Sequence, residues 1–214
     1  RTGTVAGHPT RTPRTAFSDM RLRFSGLMVG APAANLAETI KAPRKTILGT
    51  SFHILAPTGQ YYPEKLINLS TSRWAFKPEV ALSHPFGKKW LIDIYAGLWL
   101  FTKNDEFYPG TSVRTQDPLG SFQGHLSYNI QPAMWVAFDM TYYTGGKSYI
   151  DGVENDDRQS NSRIGGTIVL PVKKRNSVKF AFSTGAIIRS GADFTSVSVG
   201  WQTMFFGKQG KSVQ

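Results

Sequence analysis

The sequence contains no cysteine among its 214 residues. This absence excludes a disulfide framework, a thiolate metal site and a cysteine nucleophile. The sequence also lacks any apolar run of about 18 residues, so it predicts no transmembrane helix. A membrane-spanning β-barrel is still allowed, because each of its strands needs only about 10 residues of alternating polarity.

Charged residues make up only 18% of the chain, and acidic ones are the scarcer kind: 14 Asp and Glu stand against 25 Lys and Arg. The resulting net charge of +11 would ordinarily point to nucleic acid or an acidic membrane surface. Nucleic-acid readers interleave basic and stacking aromatic residues on one face. Here the bases concentrate in short turns and the aromatics near strand ends. We therefore predict no nucleic-acid partner.

Apolar residues recur with a period of two rather than 3.6, which predicts β-strands. Residues 90–101 are the clearest case, with an apolar face opposite one that holds Asp93 and Tyr95. Helical periodicity is nearly absent, and the one short candidate, residues 33–41, lies between prolines. About nine strands are predicted, near residues 19–27, 46–56, 74–83, 90–101, 120–130, 134–143, 162–170, 178–189 and 194–206.

Short and long connections alternate between these strands. The long ones, residues 57–73, 102–118 and 144–161, are rich in Gly, Pro, Asn, Asp and Tyr. Outer-membrane barrels have this alternation, with short periplasmic turns and long extracellular loops. A soluble β-sandwich with its aromatics in the core is the alternative.

The predicted fold is an all-β antiparallel transmembrane β-barrel. It forms one domain over residues 1–206, with residues 1–16 as a loop or leader and residues 207–214 as a polar tail. Nine is an odd number, whereas bacterial single-chain barrels have an even number of strands. We therefore expect one to three N-terminal strands to lie outside this chain.

Several segments resemble one known family. They are residues 17–24 (FSDMRLRF), 55–61 (LAPTGQY), 75–79 (AFKPE), 83–87 (SHPFG), 116–118 (QDP), 124–128 (GHLSY) and 155–159 (NDDRQ). These segments are similar to bacterial outer-membrane proteins of the family called "putative MetA-pathway of phenol degradation". The resemblance runs from about residue 15 to Phe206. It implies a barrel in the bacterial outer membrane and an association with the degradation of aromatic compounds.

Charged side chains within the predicted strands cannot face lipid, so the alternation places them inward. These residues are Lys77, Glu79, Asp93, Asp139, Arg163, Lys179 and Arg189. The inward face also carries Tyr95, Trp99, His125, Trp135 and Tyr143, whose aromatic rings could stack on a solute. Two interpretations stay open: a ladder of paired charges that fills a structural barrel, or a polar conduit.

Aromatic residues of the long loops are candidates for the first capture of a solute: Tyr61, Tyr62, Phe107 and Tyr108. The sequence thus predicts a channel for passive uptake of small solutes, with aromatic or hydrophobic ones as candidates. Its expected partners are outer-membrane lipid and the solute. We predict no catalysis and no cofactor.

Two other functions are weighed against this one. A soluble, lipocalin-like barrel that carries an apolar ligand would need a polar outer face. A barrel-embedded hydrolase would need His125 with Ser127, or His53 with Ser51, to meet a carboxylate. The histidines lack metal-ligand spacing and the acidic loop at 151–157 lacks the EF-hand order, so no metal site is predicted.

Overall fold

The computed structural model describes residues 2–5, 8–11, 15–30, 45–173, 175–191 and 193–203. The strands are β1 (Thr2–Val5), β2 (His8–Arg11), β3 (Met20–Val29), β4 (Ile47–Ala56), β5 (Ala75–Phe86), β6 (Trp90–Phe101), β7 (Asn104–Phe107), β8 (Ser112–Gln116), β9 (Leu119–Gln131), β10 (Met134–Gly145), β11 (Ser148–Ile150), β12 (Val153–Glu154), β13 (Gln159–Lys173), β14 (Asn176–Ile187) and β15 (Ser196–Thr203). Across these segments, no helix is long and apolar enough to cross a membrane.

Nine long strands form one antiparallel sheet in the order β15-β14-β13-β10-β9-β6-β5-β4-β3. Each strand pairs with the next long strand of the chain, so the sheet is a meander. All nine segments with period-two alternation are strands here, which confirms the predicted all-β antiparallel fold. Among the described residues, β3 and β15 each pair on one side only, so this sheet is open. The one helical candidate of the sequence, residues 33–41, lies outside the described residues, as does the polar tail.

The two faces of the sheet differ sharply in polarity. Val80, Ala96 and Phe122 are register partners on neighbouring strands and share the outer face, where Val80 and Phe122 are about half exposed. Lys77 and Glu79 point to the other face and are only 4% and 5% exposed. Side chains alternate between the two faces along each strand, so the pairing register determines which residues lie on each face of the sheet. The outer face is apolar and the inner face is polar.

The sheet curls around its polar face. β10 and β3 lie five strand spacings apart in the sheet order, roughly 24 Å along a flat sheet. Yet Arg21 on β3 and Glu79 on β5 contribute to the electrostatic environment of Tyr143 on β10, and the Arg21 guanidinium carbon lies 6.0 Å from the Trp99 ring centroid on β6. Interactions across three to five strand spacings indicate a sheet that curves around its polar face. The inner face is therefore concave.

Two of the predicted long loops contain a second sheet. β7 and β8 form one hairpin, β11 and β12 form another, and β8 pairs with β11 to join them in the order β12-β11-β8-β7. Asn104 anchors this sheet, since its Nδ2 donates to Tyr61 Oη at 3.0 Å and to the Thr71 carbonyl at 3.1 Å. Within the first sixteen residues, expected as a loop or leader, β1 and β2 pair as a separate hairpin.

Candidate functional site: the polar inner face

A buried charge cluster lies on β4 and β5. Lys77 Nζ contacts Glu79 Oε2, and Ser51 Oγ donates to Glu79 Oε1 at 3.0 Å. His53 Nε2 lies 3.4 Å from the same carboxylate oxygen. Glu79 thus has three polar partners, and Lys77 neutralises its charge. This part of the inner face matches the ladder of paired charges.

A second cluster spans β6, β9, β10 and β13. His125 Nδ1 lies 2.6 Å from Asp139 Oδ1, and Thr167 Oγ1 donates to Asp139 Oδ2 at 2.7 Å. The ring of Tyr95 meets the edge of His125 at 5.6 Å between centroids. Four strands therefore hold one carboxylate and one imidazole in fixed positions beside an aromatic ring.

Neither cluster has the geometry of a hydrolase. In a catalytic triad the serine and the acid contact opposite nitrogens of the histidine. Here Ser51 Oγ and Glu79 Oε1 both approach Nε2 of His53, at 3.3 and 3.4 Å, and Ser51 donates directly to Glu79. Within the described part of the chain, no hydrogen bond joins His125 to Ser127 and no group of three His, Asp or Glu side chains is placed to hold a metal ion.

Trp99 lies beside two cations towards the long-loop end of the inner face. Lys77 Nζ lies 5.4 Å from its ring centroid, and the guanidinium carbon of Arg21 lies 6.0 Å away. The alternation had placed Lys77 and Trp99 inward, but Arg21 and Arg23 had no assigned role. They alternate with Leu22 and Phe24, so the period-two pattern could have identified them.

The concave face contains open space. A pocket of about 620 Å³ is lined by Asp139, Tyr143, Arg163 and, after β14, Phe194. The Arg163 guanidinium packs 3.8 Å from the Phe194 ring centroid and donates to its carbonyl at 2.6 Å. A second pocket of about 360 Å³ lies among β3 to β6, and its lining includes Arg23, Ser51, Asp93 and Tyr95.

Three predicted inner-face residues lie away from these clusters. Trp135 and Lys179 keep the inner face near the short-turn end, beside Val169 in the register. The alternation predicted Arg189 on the inner face of the last-but-one strand. That prediction is wrong, because β14 ends at Ile187 and Arg189 lies beyond it. Its backbone N–H donates to Asn161 Oδ1, and its guanidinium lies 3.7 Å from Asp156 in a loop. The strand ends earlier than the alternation suggested because Asn161 caps the turn that follows.

The loop aromatics fall into two groups. Tyr61 is held within the loops, donating to the Glu106 carbonyl at 3.2 Å, and Phe107 lies under the guanidinium of Arg114 at 5.4 Å. Tyr62 and Tyr108 are 38% and 43% exposed. The second pair is the more exposed one, and Lys65 Nζ lies 4.2 Å from the Tyr62 ring centroid.

Arg73 is a buried cation that sequence reasoning placed in a loop without a role. It is 9% exposed, contacts Gln116 Oε1, and lies with its guanidinium 4.4 Å from the Phe101 ring centroid. Burial, and then the neighbouring Arg114, lower the pKa of Arg73 to about 10. Arg73 thus remains charged at neutral pH and connects Gln116 of β8 with Phe101 at the end of β6.

Asp19 fastens the first long loop to the start of β3. Its Oδ1 accepts from the Gly59 backbone at 3.1 Å, and its Oδ2 accepts from the backbone and hydroxyl of Thr71 at 2.9 and 3.0 Å. Partial burial alone would raise the pKa of Asp19, but hydrogen bonds from Ser70, Thr71 and Gly59 outweigh it and lower the pKa below 3.8. The folded protein therefore favours the ionised carboxylate.

We expect Asp19→Asn to lower the free energy of unfolding by about 1 kcal/mol at pH 7, since charged hydrogen bonds are strong but this carboxylate is partly solvated. A lowered pKa stabilises the fold above the unfolded-state value and loses that effect as pH falls through the folded-state value. The difference between wild type and variant should thus shrink below about pH 4. Denaturant unfolding from pH 7 to 3 measures it, with the exposed Asp156→Asn as control. A constant difference over that range would contradict the role.

An antiparallel meander with an apolar outer face and a polar inner face is the arrangement of outer-membrane β-barrel proteins. The chain belongs to the family described as "Putative MetA-pathway of phenol degradation", whose profile matches residues 8–195. This match confirms the resemblance seen in the sequence.

The fold is similar to the crystal structure of an outer membrane channel from Pseudomonas putida F1, with a TM-score of 0.75 and 22% sequence identity. The alignment covers 88% of this chain and 66% of that one, so the chain spans just under two thirds of the channel's length. No curated protein sequence matches the chain.

Proposed function

We propose that the protein is a channel of the bacterial outer membrane for the passive uptake of small solutes, with aromatic or hydrophobic ones as candidates, and that it serves the degradation of aromatic compounds. The main observation in support of this proposal is that the curled sheet has an apolar outer face and a polar inner face, the reverse of a water-soluble protein. Its outer face presents apolar side chains such as Val80 and Phe138, which are 53% and 54% exposed. Its inner face is charged and holds open pockets. The apolar outer face would contact lipid, and the polar inner face would line an aqueous path for the solute.

The solute would first meet the exposed rings of Tyr62 and Tyr108 in the loops. It would next pass Trp99 and Tyr95, and then reach the short-turn end beside Trp135. Movement follows the concentration gradient of the solute, and no catalytic step takes part.

Two observations favour a conduit over a filled barrel. The inner face keeps pockets of about 620 and 360 Å³, within the usual size range of small-molecule sites. Their linings also include charges, such as Asp93 and Arg23, that no ion pair within 4 Å neutralises among the described residues. A barrel serving only as a scaffold would be expected to pack or pair these groups.

The soluble, lipocalin-like alternative conflicts with the outer face. Exposed Ile94, Leu98, Phe122 and Phe138 would stand in water on neighbouring strands. Partition of the protein into detergent, and a shift in its gel mobility between unheated and heated samples, would support the membrane barrel. A protein that stays soluble without detergent would refute it.

Transport is tested by uptake into proteoliposomes that hold the full-length protein. We expect them to take up small phenolic solutes faster than empty vesicles, and we expect Trp99→Ala to change that rate because it removes an inner-face ring. Leu98→Ala, its outward neighbour on β6, is the matched control and should not change the rate. Equal rates for empty and protein-containing vesicles, with the protein shown to be folded, would identify a filled structural barrel.

A further inference from the structure

The inner face carries more cations than its own carboxylates neutralise. Glu79 is held by Lys77, and Asp139 is held by His125 and Thr167. Arg21 and Arg23 have no carboxylate within 4 Å in the portion of the chain that the structure describes. Among the described residues, two guanidinium groups on the wall of the proposed conduit therefore have no carboxylate partner.

The two arginines lie beside aromatic rings. Arg21 and Arg23 are two residues apart on one strand, so they share the inner face about 7 Å apart. Arg21 lies 6.0 Å from the Trp99 ring centroid, and Arg23 lines the 360 Å³ pocket together with Tyr95. The site therefore combines planar cations with flat apolar surfaces. A guanidinium binds a carboxylate through two parallel hydrogen bonds, and an aromatic ring stacks on a neighbouring ring.

We propose that these residues form a subsite for small aromatic carboxylates, such as a benzoate-like anion. The carboxylate lies on the guanidinium of Arg21 or Arg23, and the ring lies on Trp99 or Tyr95. This inference rests on the proposed channel function and narrows its substrate class to aromatic anions. As it passes, the solute supplies the counter-charge that Arg21 and Arg23 lack among the described residues.

One group in the pocket opposes an anion and fixes its orientation. Asp93 lies across the pocket from Arg23 and is the register partner of Ser83 and His125. Its negative charge repels a carboxylate at the β6 side. The carboxylate of the solute therefore faces β3, and its ring faces Tyr95 and Trp99.

The test is the current carried by the full-length protein in planar lipid bilayers with potassium chloride on both sides. Sodium benzoate added to one side should reduce the chloride current, whereas benzylammonium chloride, with the same ring and the opposite charge, should not. We expect Arg21→Gln/Arg23→Gln to raise the half-blocking benzoate concentration at least about fivefold, or about 1 kcal/mol of binding. Lys88→Gln/Lys89→Gln, which removes two charges from the turn between β5 and β6, should leave it within about twofold.

The possible outcomes separate this inference from the channel itself. Absence of current from folded protein would refute the proposed function. A current that benzoate does not block, or blocks equally in the arginine variant, would refute the subsite and leave the channel standing. If the double variant does not fold, Trp99→Leu and Tyr95→Leu keep both arginines and decide the question. A weaker benzoate block in either variant supports the subsite, and an unchanged block in both overturns it.

Discussion

Replacement of Ala96 by arginine is expected to lower the free energy of unfolding in lipid by about 2 to 4 kcal/mol, the cost of a charge at the lipid-facing midplane of a barrel. Ala96 lies near the middle of β6, between Val80 and Phe122 on the outer face. The guanidinium would have to enter hydrocarbon or bend away towards the interface. Denaturant unfolding of the reconstituted protein measures the effect.

Tyr95→Arg is the matched control, one residue away on the same strand. Tyr95 faces inward and lines a pocket together with Asp93, so an arginine there is solvated or paired. We expect this variant to be less damaging than Ala96→Arg by at least about 1 kcal/mol, after allowance for the lost packing of the ring. If Tyr95→Arg is as damaging or worse, the two faces are reversed and the inner-face site has to be abandoned.

Glu79→Ala is expected to cost about 3 kcal/mol of stability, the lower end of the range for breaking a buried ion pair. Its partner Lys77 is 4% exposed and would keep a positive charge with no carboxylate beside it. Ser51 and His53 would also lose their shared acceptor. Denaturant unfolding in lipid is again the measurement.

Two further variants distinguish charge burial from lost packing. Lys77→Met/Glu79→Leu removes both charges and should recover most of the loss, since replacing a buried pair by apolar residues is often neutral. Asp93→Asn removes an inner-face carboxylate that has no ion pair among the described residues, and it should cost less than about 1 kcal/mol. A cost below about 1 kcal/mol for Glu79→Ala would mean that water reaches Lys77 and the ladder is not structural there.

Prediction from the sequence was most accurate where one face of a strand is continuously apolar. The strand β6, Trp90–Phe101, has the bounds that the alternation predicted. The predicted C-terminal end of β14 was wrong by two residues. Arg189 continues the alternation, but Asn161 of the neighbouring strand binds the backbone of Arg189 in the turn that follows the strand. Periodicity reports the face of a residue, whereas the end of a strand depends on a cross-strand contact.

The loop sheet was missed because its strands are two to five residues long and are interrupted by turn residues. Strands that short have too few positions to show a period. They are held instead by side-chain hydrogen bonds, such as Asn104 to Thr71 of another loop and Ser148 to Asp157 within the same loop. No local pattern contains that information.

The sequence by itself determined the all-β class, the nine strands and the inward facing of residues such as Lys77 and Asp139, because alternation with a period of two is a local property of the chain. Only the tertiary structure decided which inward groups meet. It pairs Glu79 with Lys77 and His53, places Asp139 between His125 and Thr167, and puts Arg21 beside Trp99. Among the described residues it leaves Arg21 and Arg23 without a carboxylate within 4 Å. The physical reason is that register and curvature bring together residues from strands far apart in the chain, and a sequence period does not encode the distance between them.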